Sequence, residues 1–347
     1  MAERNLSDEI MTGPSTKKVR AIGLLSGGLD SILATRLMLE QDVDVLAVHF
    51  VLPFCECQHR GQGDIQAIAG KIGVPLKIIR HGQDFVDMLK APRYGYGRHI
   101  KPCIDCRIFN LKKAKELMEH SGADFVFTGE VLGQRPMSQR KDAMRIVERD
   151  SGLDGYLLRP LSARLMKPTV PEEQGLVDRG RLLAIQGRTR SAQIALAETY
   201  GIDYYPGPAG GCLLTEKEFA RRLQDLFQHG EDSLYDINLL TLGRHFRLPT
   251  GEKIVAGRDE DENRRLEAYA APTDYKFSAE RFGSPLVILR KTMDRKAMEQ
   301  AAAICARYSS GREQDRISVR YWLDCCEPPG QLVVAPMADR LLETYRL

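Results

Sequence analysis

The sequence predicts an α/β chain: a doubly wound parallel sheet, followed by a smaller and separate α+β domain. Three observations predict it. Short apolar runs alternate with amphipathic stretches of helical period between Arg20 and Leu161. A bend of small and acidic residues, Ser26-Gly27-Gly28-Leu29-Asp30-Ser31, joins the first run to the stretch after it. From about Asp236 the alternation gives way to closely spaced strand-like runs with only occasional helical stretches.

The first run, Arg20–Leu25, reads as a buried strand, with Ala21, Ile22, Leu24 and Leu25 around one glycine. The stretch after the bend puts Ile32, Leu33, Leu37 and Met38 near one helical face. Asp44–Phe50 is a second strand, Ile65–Ile72 a helix, and Pro75–His81 a third strand. Asp105–His120 is an amphipathic helix with Ile108, Leu111, Ala114, Leu117 and Met118 on one side. Ala123–Glu130 and Tyr156–Leu161 supply the fourth and fifth strands. Residues 164–235 read as short helices around a Gly/Pro-rich loop, and 236–347 as the α+β domain, with 1–19 as a flexible lead-in. In a parallel sheet of this kind ligands bind at the carboxyl ends of the strands. Ser26, Phe50 and Thr128-Gly129-Glu130 all fall there.

The glycine pair lets successive backbone N–H groups turn outward into a concave nest, and the start of the helix adds unpaired N–H groups and a positive dipole end. Such a site suits phosphate. An ordinary tight strand–helix turn, capped by Asp30 or Ser31, is the competing reading. No Gly-Lys-Ser/Thr and no G-x-G-x-x-G is present at the bend. S-G-G-x-D-S instead resembles the PP-loop of the ATP pyrophosphatases, which split ATP to AMP and pyrophosphate while adenylating a substrate oxygen. The resemblance implies that Ser26, Gly27, Gly28 and Ser31 hold pyrophosphate and that Asp30 helps place Mg²⁺. It extends the ATP site to Leu29, to Val48, His49 and Phe50 at the second strand's end, and to Gly129 and Gln134.

Bulk composition narrows the classes. The chain has 347 residues, 43% hydrophobic and 28% charged, with a formal net charge of +3. That is long enough for two or three domains, and it lacks the strong basic excess of a dedicated nucleic-acid coat. Residues 88–225 hold 23 Lys/Arg against 17 Asp/Glu, a weak footprint for a polyanion. No apolar stretch approaches membrane-spanning length, and the first residues lack the apolar core of a signal peptide, so a cytoplasmic protein is expected. In a reducing compartment the eight cysteines point to metal or catalytic chemistry before disulfides.

Cys103 and Cys106 form C-x-x-C at a helix start, and Cys212 lies in the second Gly-rich loop. Thiols at a helix start suit a metal or cluster half-site, or a redox pair of lowered pKa. Three thiolates would leave one iron of a [4Fe–4S] cluster open to an external ligand such as hydrosulfide. Cys55 and Cys57, with His59 nearby, form a weaker candidate metal site; Cys305, Cys325 and Cys326 read as core.

Here the resemblance becomes specific. The arrangement is similar to the tRNA thiouridine synthetases of the PP-loop class. "TGEVLGQRPMSQ" (128–139) and "RPLSARLMKPTVPEE" (159–173) resemble segments of the 4-thiouridine synthetase, and Cys106 and Cys212 match the two sulfur-handling cysteines of 2-thiouridylase. C-x-x-C plus a distant cysteine is the pattern of the iron–sulfur-dependent branch. "LGRHFRLPTGEKIVAGRDEDENRRL" (242–266) resembles the RNA-binding portion of NFACT-type proteins.

The resemblance implies an ATP-dependent tRNA uridine sulfurtransferase. Asp30, Cys106 and Cys212 are its expected catalytic residues, and Cys103, Cys106 and Cys212 its expected metal ligands. Its expected cofactors are ATP, Mg²⁺ and a [4Fe–4S] cluster. Hydrosulfide or a persulfide from a cysteine desulfurase is the expected sulfur donor, and a Cys212 persulfide with Cys106 as partner thiol is the alternative to the cluster. A PP-loop ligase acting on a small carboxylate and a non-catalytic zinc-containing RNA binder are the competing functions. Residues 236–347 are expected to contact tRNA through Arg244, His245, Arg247, Lys253 and Arg258, which alternate with apolar residues; a homodimerisation domain is the alternative.

Overall fold

The computed structural model describes residues 18–54, 64–205, 212–290, 294–324 and 326–347. Cys55, Cys57, His59 and Cys325 lie outside the described residues, as does most of the lead-in. Of the described residues, those up to 50, within 61–79 and within 106–209 form one compact unit. Those within 51–60, 80–105 and 210–347 form the other.

In chain order the elements as far as the last parallel strand are β1 (Arg20–Leu24), α1 (Leu29–Leu39), β2 (Asp44–Val51), α2 (Ile65–Ile72), β3 (Leu76–Arg80), α3 (Gln83–Lys90), α4 (Cys103–Ser121), β4 (Phe125–Thr128), α5 (Lys141–Ser151) and β5 (Leu157–Leu158). The sheet order is β3-β2-β1-β4-β5, with β1 parallel to both β2 and β4. The chain therefore winds one way from β1 to β3, then returns to β1's other side with β4. The crevice between the carboxyl ends of β1 and β4 is the switch point at which such sheets take ligands. The core under it joins Leu25, Leu29, Ile32, Leu33 and Met38 to Phe125 and Phe127. Phe127 fills the space above Gly23, where an added Cβ would lie 2.4 Å from the ring.

The five predicted strands are all present, the fifth cut to two residues. The helix Ile65–Ile72 is present to the residue, capped by the Asp64 carboxylate, which accepts from Gln66 N–H. Two helices were not legible as such. α5 is strongly amphipathic but sits between two motif-bearing loops, and α3 covers only two turns.

After β5 the chain adds α6 (Val170–Glu173), opened by a capping box of Thr169 and Glu172, and α7 (Ser191–Thr199). Leu183 and Ile185 N–H groups bond Pro160 and Leu161 carbonyls, and α7 packs on α1. The expected intermediate segment 164–235 is thereby divided: its described residues to 205 join the first unit and those from 212 join the second.

The second unit contains α8 (Lys217–Gln228), α9 (Leu234–Leu239), β6 (Arg244–Arg247), β7 (Lys253–Ala256), α10 (Glu260–Tyr269), β8 (Tyr275–Ala279), β9 (Val287–Leu289), α11 (Arg295–Tyr308), β10 (Ile317–Leu323), β11 (Cys326–Val334) and α12 (Asp339–Tyr345). Its antiparallel sheet runs β11-β10-β8-β9-β7-β6. One face, through Phe246, Phe277, Val287 and Val319, packs on Ala301, Ala302 and Cys305 of α11 and on Leu342 of α12. Val255 and Ile288 on the other face pack with Leu239 of α9 and Leu266 of α10. α3 belongs to this unit: Phe54 packs against Phe85 of α3 and Phe219 of α8, and Lys90 pairs with Asp232. No helix among the described residues is long and apolar enough to cross a membrane.

Candidate nucleotide and sulfur site

The bend between β1 and α1 is held by its own hydrogen bonds. Gly27 adopts φ +81°, a conformation that L side chains rarely adopt. The Ser31 hydroxyl donates to Gly28 O (2.8 Å) and accepts from Ser26 N–H (3.2 Å), so the two serines clamp the loop from both ends. Gly28 is the N-cap of α1 and supplies no side-chain cap, which leaves the helix's first N–H groups to other acceptors. Gly129, just past β4, lies against this turn. A Cβ there would sit 2.5 Å from the Asp30 carbonyl and Ser31 N, so only glycine allows the two strand ends to approach this closely.

Asp30 sits on the first turn of α1. Its Oδ2 accepts from Gln134 Nε2 at 3.0 Å, while its Oδ1 and Gln134 Oε1 are buried without a hydrogen-bond partner among the described residues. Two orphaned acceptors beside a phosphate-type nest fit a hard divalent cation, which takes oxygen ligands. Asp30 and Gln134 are the residues that would hold Mg²⁺.

The other predicted nucleotide residues divide. His49 is buried, with Nδ1 2.9 Å from Leu25 O, which fixes the backbone entering the bend. Leu29 and Val48 are fully packed in the core, so only their backbones can face a ligand; Val48 O already accepts from Leu25 N–H. Phe50 is half-buried near the end of β2.

Three groups were missed. The first is a buried ionic network one residue past Gly129. Glu130 accepts from Arg159 Nε (3.0 Å) and Thr128 Oγ1 (3.2 Å) and pairs with Arg107 of α4 (2.9 Å). Arg159 also pairs with Glu148. Burial alone would raise the Glu130 carboxyl, but Arg107 and Arg159 hold it below the ordinary carboxylate range. The signal was available: T-G-E and R-P-L each place one buried charge at a strand end. Second, Ser162 accepts from Leu132 N–H and donates to Ile185 O, tying the loop after β4 to the segment before α7.

The third group lies on α7. The Tyr200 hydroxyl donates to Glu40 (2.8 Å) and Arg36 stacks over its ring, so the C-terminal ends of α7 and α1 meet. Residues 186–187 pair with Leu132, so α7 begins beside the loop that carries Gln134. Its first turn, with Gln193, therefore lies toward the phosphate-binding end of α1. Both amide atoms of fully buried Gln193 and Nε of Arg190 have no hydrogen-bond partner among the described residues. Nothing in local sequence pattern marks a buried glutamine on a helix face.

Cys103 and Cys106 occupy the first turn of α4, as the C-x-x-C predicts. Cys212 opens a 3-10 turn, with its carbonyl accepting from Thr215 N–H and Oγ1. All three are half-buried, and no disulfide joins the described cysteines. Among the described residues no three His, Cys, Asp or Glu side chains are gathered to hold a metal ion. Cys305 is core, and burial pushes its thiol up to about 11.

One expectation is corrected. Arg244, His245, Arg247, Lys253 and Arg258 do not form an outward basic strand face. His245 and Lys253 are buried. Arg247 makes bidentate bonds to Asp225 (2.6 Å) and Glu231 (2.6 Å), and Lys253 Nζ lies 3.1 Å from the same Asp225. Arg258 pairs with Glu262, and Arg244 stacks on Tyr308. The alternation was real, but α8 supplies the acid that draws two of the cations inward. Burial lowers Lys253 from 10.5 to about 8, against the pull of Asp225. The native state thus sheds this proton before the unfolded chain does, so this group's contribution to stability rises from about pH 8 to 10.5. Lys253→Met is expected to remove that alkaline rise, seen by comparing thermal unfolding of the two proteins across this range.

Two family models match the chain. Residues 16–164 match the family described as thiamine biosynthesis protein (ThiI), and residues 243–346 the NFACT protein RNA binding domain. The chain thus carries a region matching the ThiI family followed by a region matching the NFACT RNA binding domain. A probable tRNA sulfurtransferase of Thermococcus kodakarensis is 30% identical over 152 residues, covering 41% of this chain and 36% of that protein. The tRNA-specific 2-thiouridylase MnmA of Lactococcus lactis is 25% identical over 251 residues, covering 68% and 62%. The first curated relatives are thus spanned over about three fifths of their length, 61% for the MnmA of Listeria monocytogenes. Among solved structures, a 4-thiouridine synthetase–RNA complex with bound ATP is 27% identical, with a TM-score of 0.34, covering 42% of this chain and 37% of that one. The U34-tRNA thiolase NcsA of Methanococcus maripaludis, with its [4Fe–4S] cluster, is 18% identical, with a TM-score of 0.34, covering 64% and 71%.

Proposed function

We propose that this ThiI/NFACT-R chain is an ATP-dependent tRNA uridine sulfurtransferase. The observation that carries the reading is the internally bonded Ser26–Ser31 nest with the orphaned Asp30 carboxylate oxygen, on a region matching the ThiI family that is followed by a region matching an RNA-binding domain. ATP lies with its phosphates on the nest, where backbone N–H groups and the α1 dipole stabilise charge developing on pyrophosphate. Arg190 Nε and Gln193 Nε2, at the start of α7, donate to the same phosphates, which accounts for these two unpartnered donors. The uridine carbonyl oxygen bonds to the α-phosphorus, and the α–β phosphoanhydride breaks to release pyrophosphate. Sulfur then bonds to the activated carbon, and AMP leaves with the oxygen. Asp30 and Gln134 would hold Mg²⁺, which would supply charge neutralisation on the phosphates.

Cys106 and Cys212 handle the sulfur. The sequence pattern of Cys103, Cys106 and Cys212 supports a [4Fe–4S] cluster with one iron open to a sulfur ligand, although the described side chains are not gathered as a ready metal site. Cys103→Ala, Cys106→Ala and Cys212→Ala proteins, purified without oxygen, are each expected to lose iron and thiolation together, while Cys305→Ala keeps both. An iron-free wild type in which Cys103→Ala stays active would assign the persulfide route instead.

The reading itself is tested by incubating the protein with ATP, tRNA and sulfide. AMP, pyrophosphate and a thiouridine detected by nucleoside mass spectrometry are the expected products. ADP and phosphate without AMP would overturn it.

A further inference from the structure

The loop between α3 and α4 is absorbed by none of the chemistry above. Residues 91–102 read APRYGYGRHIKP, and no acidic residue occurs from 88 to 104. We propose that this loop is a second RNA-contacting surface, which grips unpaired nucleotides of the RNA substrate and carries them to the C-x-x-C turn.

The loop is built, not slack. Asp105, between the two cysteines of C-I-D-C, turns its buried carboxylate away from sulfur chemistry and accepts from Arg93 N–H (2.8 Å) and Tyr94 N–H (3.1 Å). The Tyr96 hydroxyl donates to Leu89 O (2.5 Å), Gly97 N–H to Lys101 O (2.9 Å), and Ile100 is buried as an anchor. His99 is held at φ +54°, an uncommon conformation for a residue other than glycine. These bonds fix the loop to the first turn of α4, so whatever it grips is positioned relative to Cys103.

What it presents outward is specific in kind. Arg93, Arg98 and His99 are exposed, and the Tyr96 ring is 43% exposed. Arg98 and Lys101 form no ion pair among the described residues, whereas the neighbouring Lys90 is spent on Asp232. Cations interleaved with aromatic rings match single-stranded RNA, whose phosphates take the charge and whose bases stack on the rings. An acidic protein surface would also use the charges, but stacking of unpaired bases on the Tyr96 ring is particular to a nucleic acid. The need for such a surface follows from the inward turn of Arg247 and Lys253, which removes the strand face first expected to hold phosphate. The inference rests on the sulfurtransferase reading only for the identity of the RNA.

The test measures binding of bulk tRNA by the full chain across a salt series, for wild type and Arg98→Ala/Lys101→Ala. The double variant is expected to bind about tenfold more weakly at 0.1 M salt, with a log–log slope flatter by roughly 1.5, since each lost phosphate contact removes about 0.7–0.9. An unchanged melting temperature checks the fold. Ultraviolet cross-linking of wild type to tRNA, which needs no variant, is expected to leave nucleotide adducts on Tyr94 or Tyr96. Unchanged affinity and slope, with no adduct in residues 91–102, would overturn the proposal. So would a double variant that binds tRNA normally but loses sulfur transfer from a protein persulfide donor, since the loop would then dock a protein. Thiouridine formation by wild type with an unaffected double variant removes this inference alone; loop-dependent tRNA binding without AMP or thiouridine removes the sulfurtransferase reading alone.

Discussion

Asp30→Ala is expected to abolish ATP-dependent thiolation, lowering AMP formation by roughly 10²–10³-fold or more, while leaving the fold in place. The reason is the division of labour between its two oxygens. Oδ2 is bonded to Gln134, and Oδ1 is buried with no hydrogen-bond partner among the described residues. A buried carboxylate oxygen left unpaired costs free energy, so it persists where a ligand completes it. The side chain is half-buried and lies outside the hydrophobic cluster that Leu29, Ile32 and Leu33 share with Phe125, so its loss opens no cavity. Thermal unfolding should therefore move little. Asp30→Asn separates charge from scaffold: its amide keeps an acceptor for Gln134 but binds a divalent cation poorly, and it is expected to be nearly as inactive. Substantial activity in Asp30→Asn would make the residue an anchor for Gln134 and remove its role at the cation.

The parallel domain was legible because its signals are local. Each strand is a short apolar run, and the glycine pair at 27–28 announces the turn that a phosphate nest requires. Gly129 and Gln134 were reached through the resemblance of T-G-E-V-L-G-Q, and both lie beside Asp30. Partner choice was not legible. Arg247 and Lys253 alternate with apolar residues as an exposed strand edge would, and only the approach of Asp225, 22 and 28 positions away on α8, turns them inward. Gln193 is hidden for a similar reason: a polar residue on a short helix reads as solvent-facing until α1 is laid against Ala197 and Tyr200 on the same stripe. α3 shows the same limit at the scale of an element. Its two turns were not legible as a helix, and its membership in the second unit depends on Phe54 and Phe219, far away in sequence.

Glu130 is the residue whose replacement should cost most stability. It is 3% exposed, and its partner Arg159 is among the largest fully buried side chains. Removing the carboxylate leaves Arg159 with Glu148 alone and frees Arg107 from β4's end. Breaking one partner out of a buried ion network typically costs about 3–5 kcal/mol, because the remaining charge stays desolvated. For a unit of this size Glu130→Ala should thus lower the melting temperature by roughly 10 °C. Glu130→Gln keeps the shape and some hydrogen bonding, and should fall between the two. The pH dependence has a definite sign. The folded carboxyl lies below its ordinary 4.5, so its stabilisation is fully present above that value and is lost as pH falls through the folded one. The gap in melting temperature between wild type and Glu130→Gln should accordingly be constant from pH 6 to 8 and close on acidification below about pH 4.5. A gap that persists unchanged at pH 3 would mean that Glu130 acts by packing, and that the charges of Arg107 and Arg159 are balanced elsewhere.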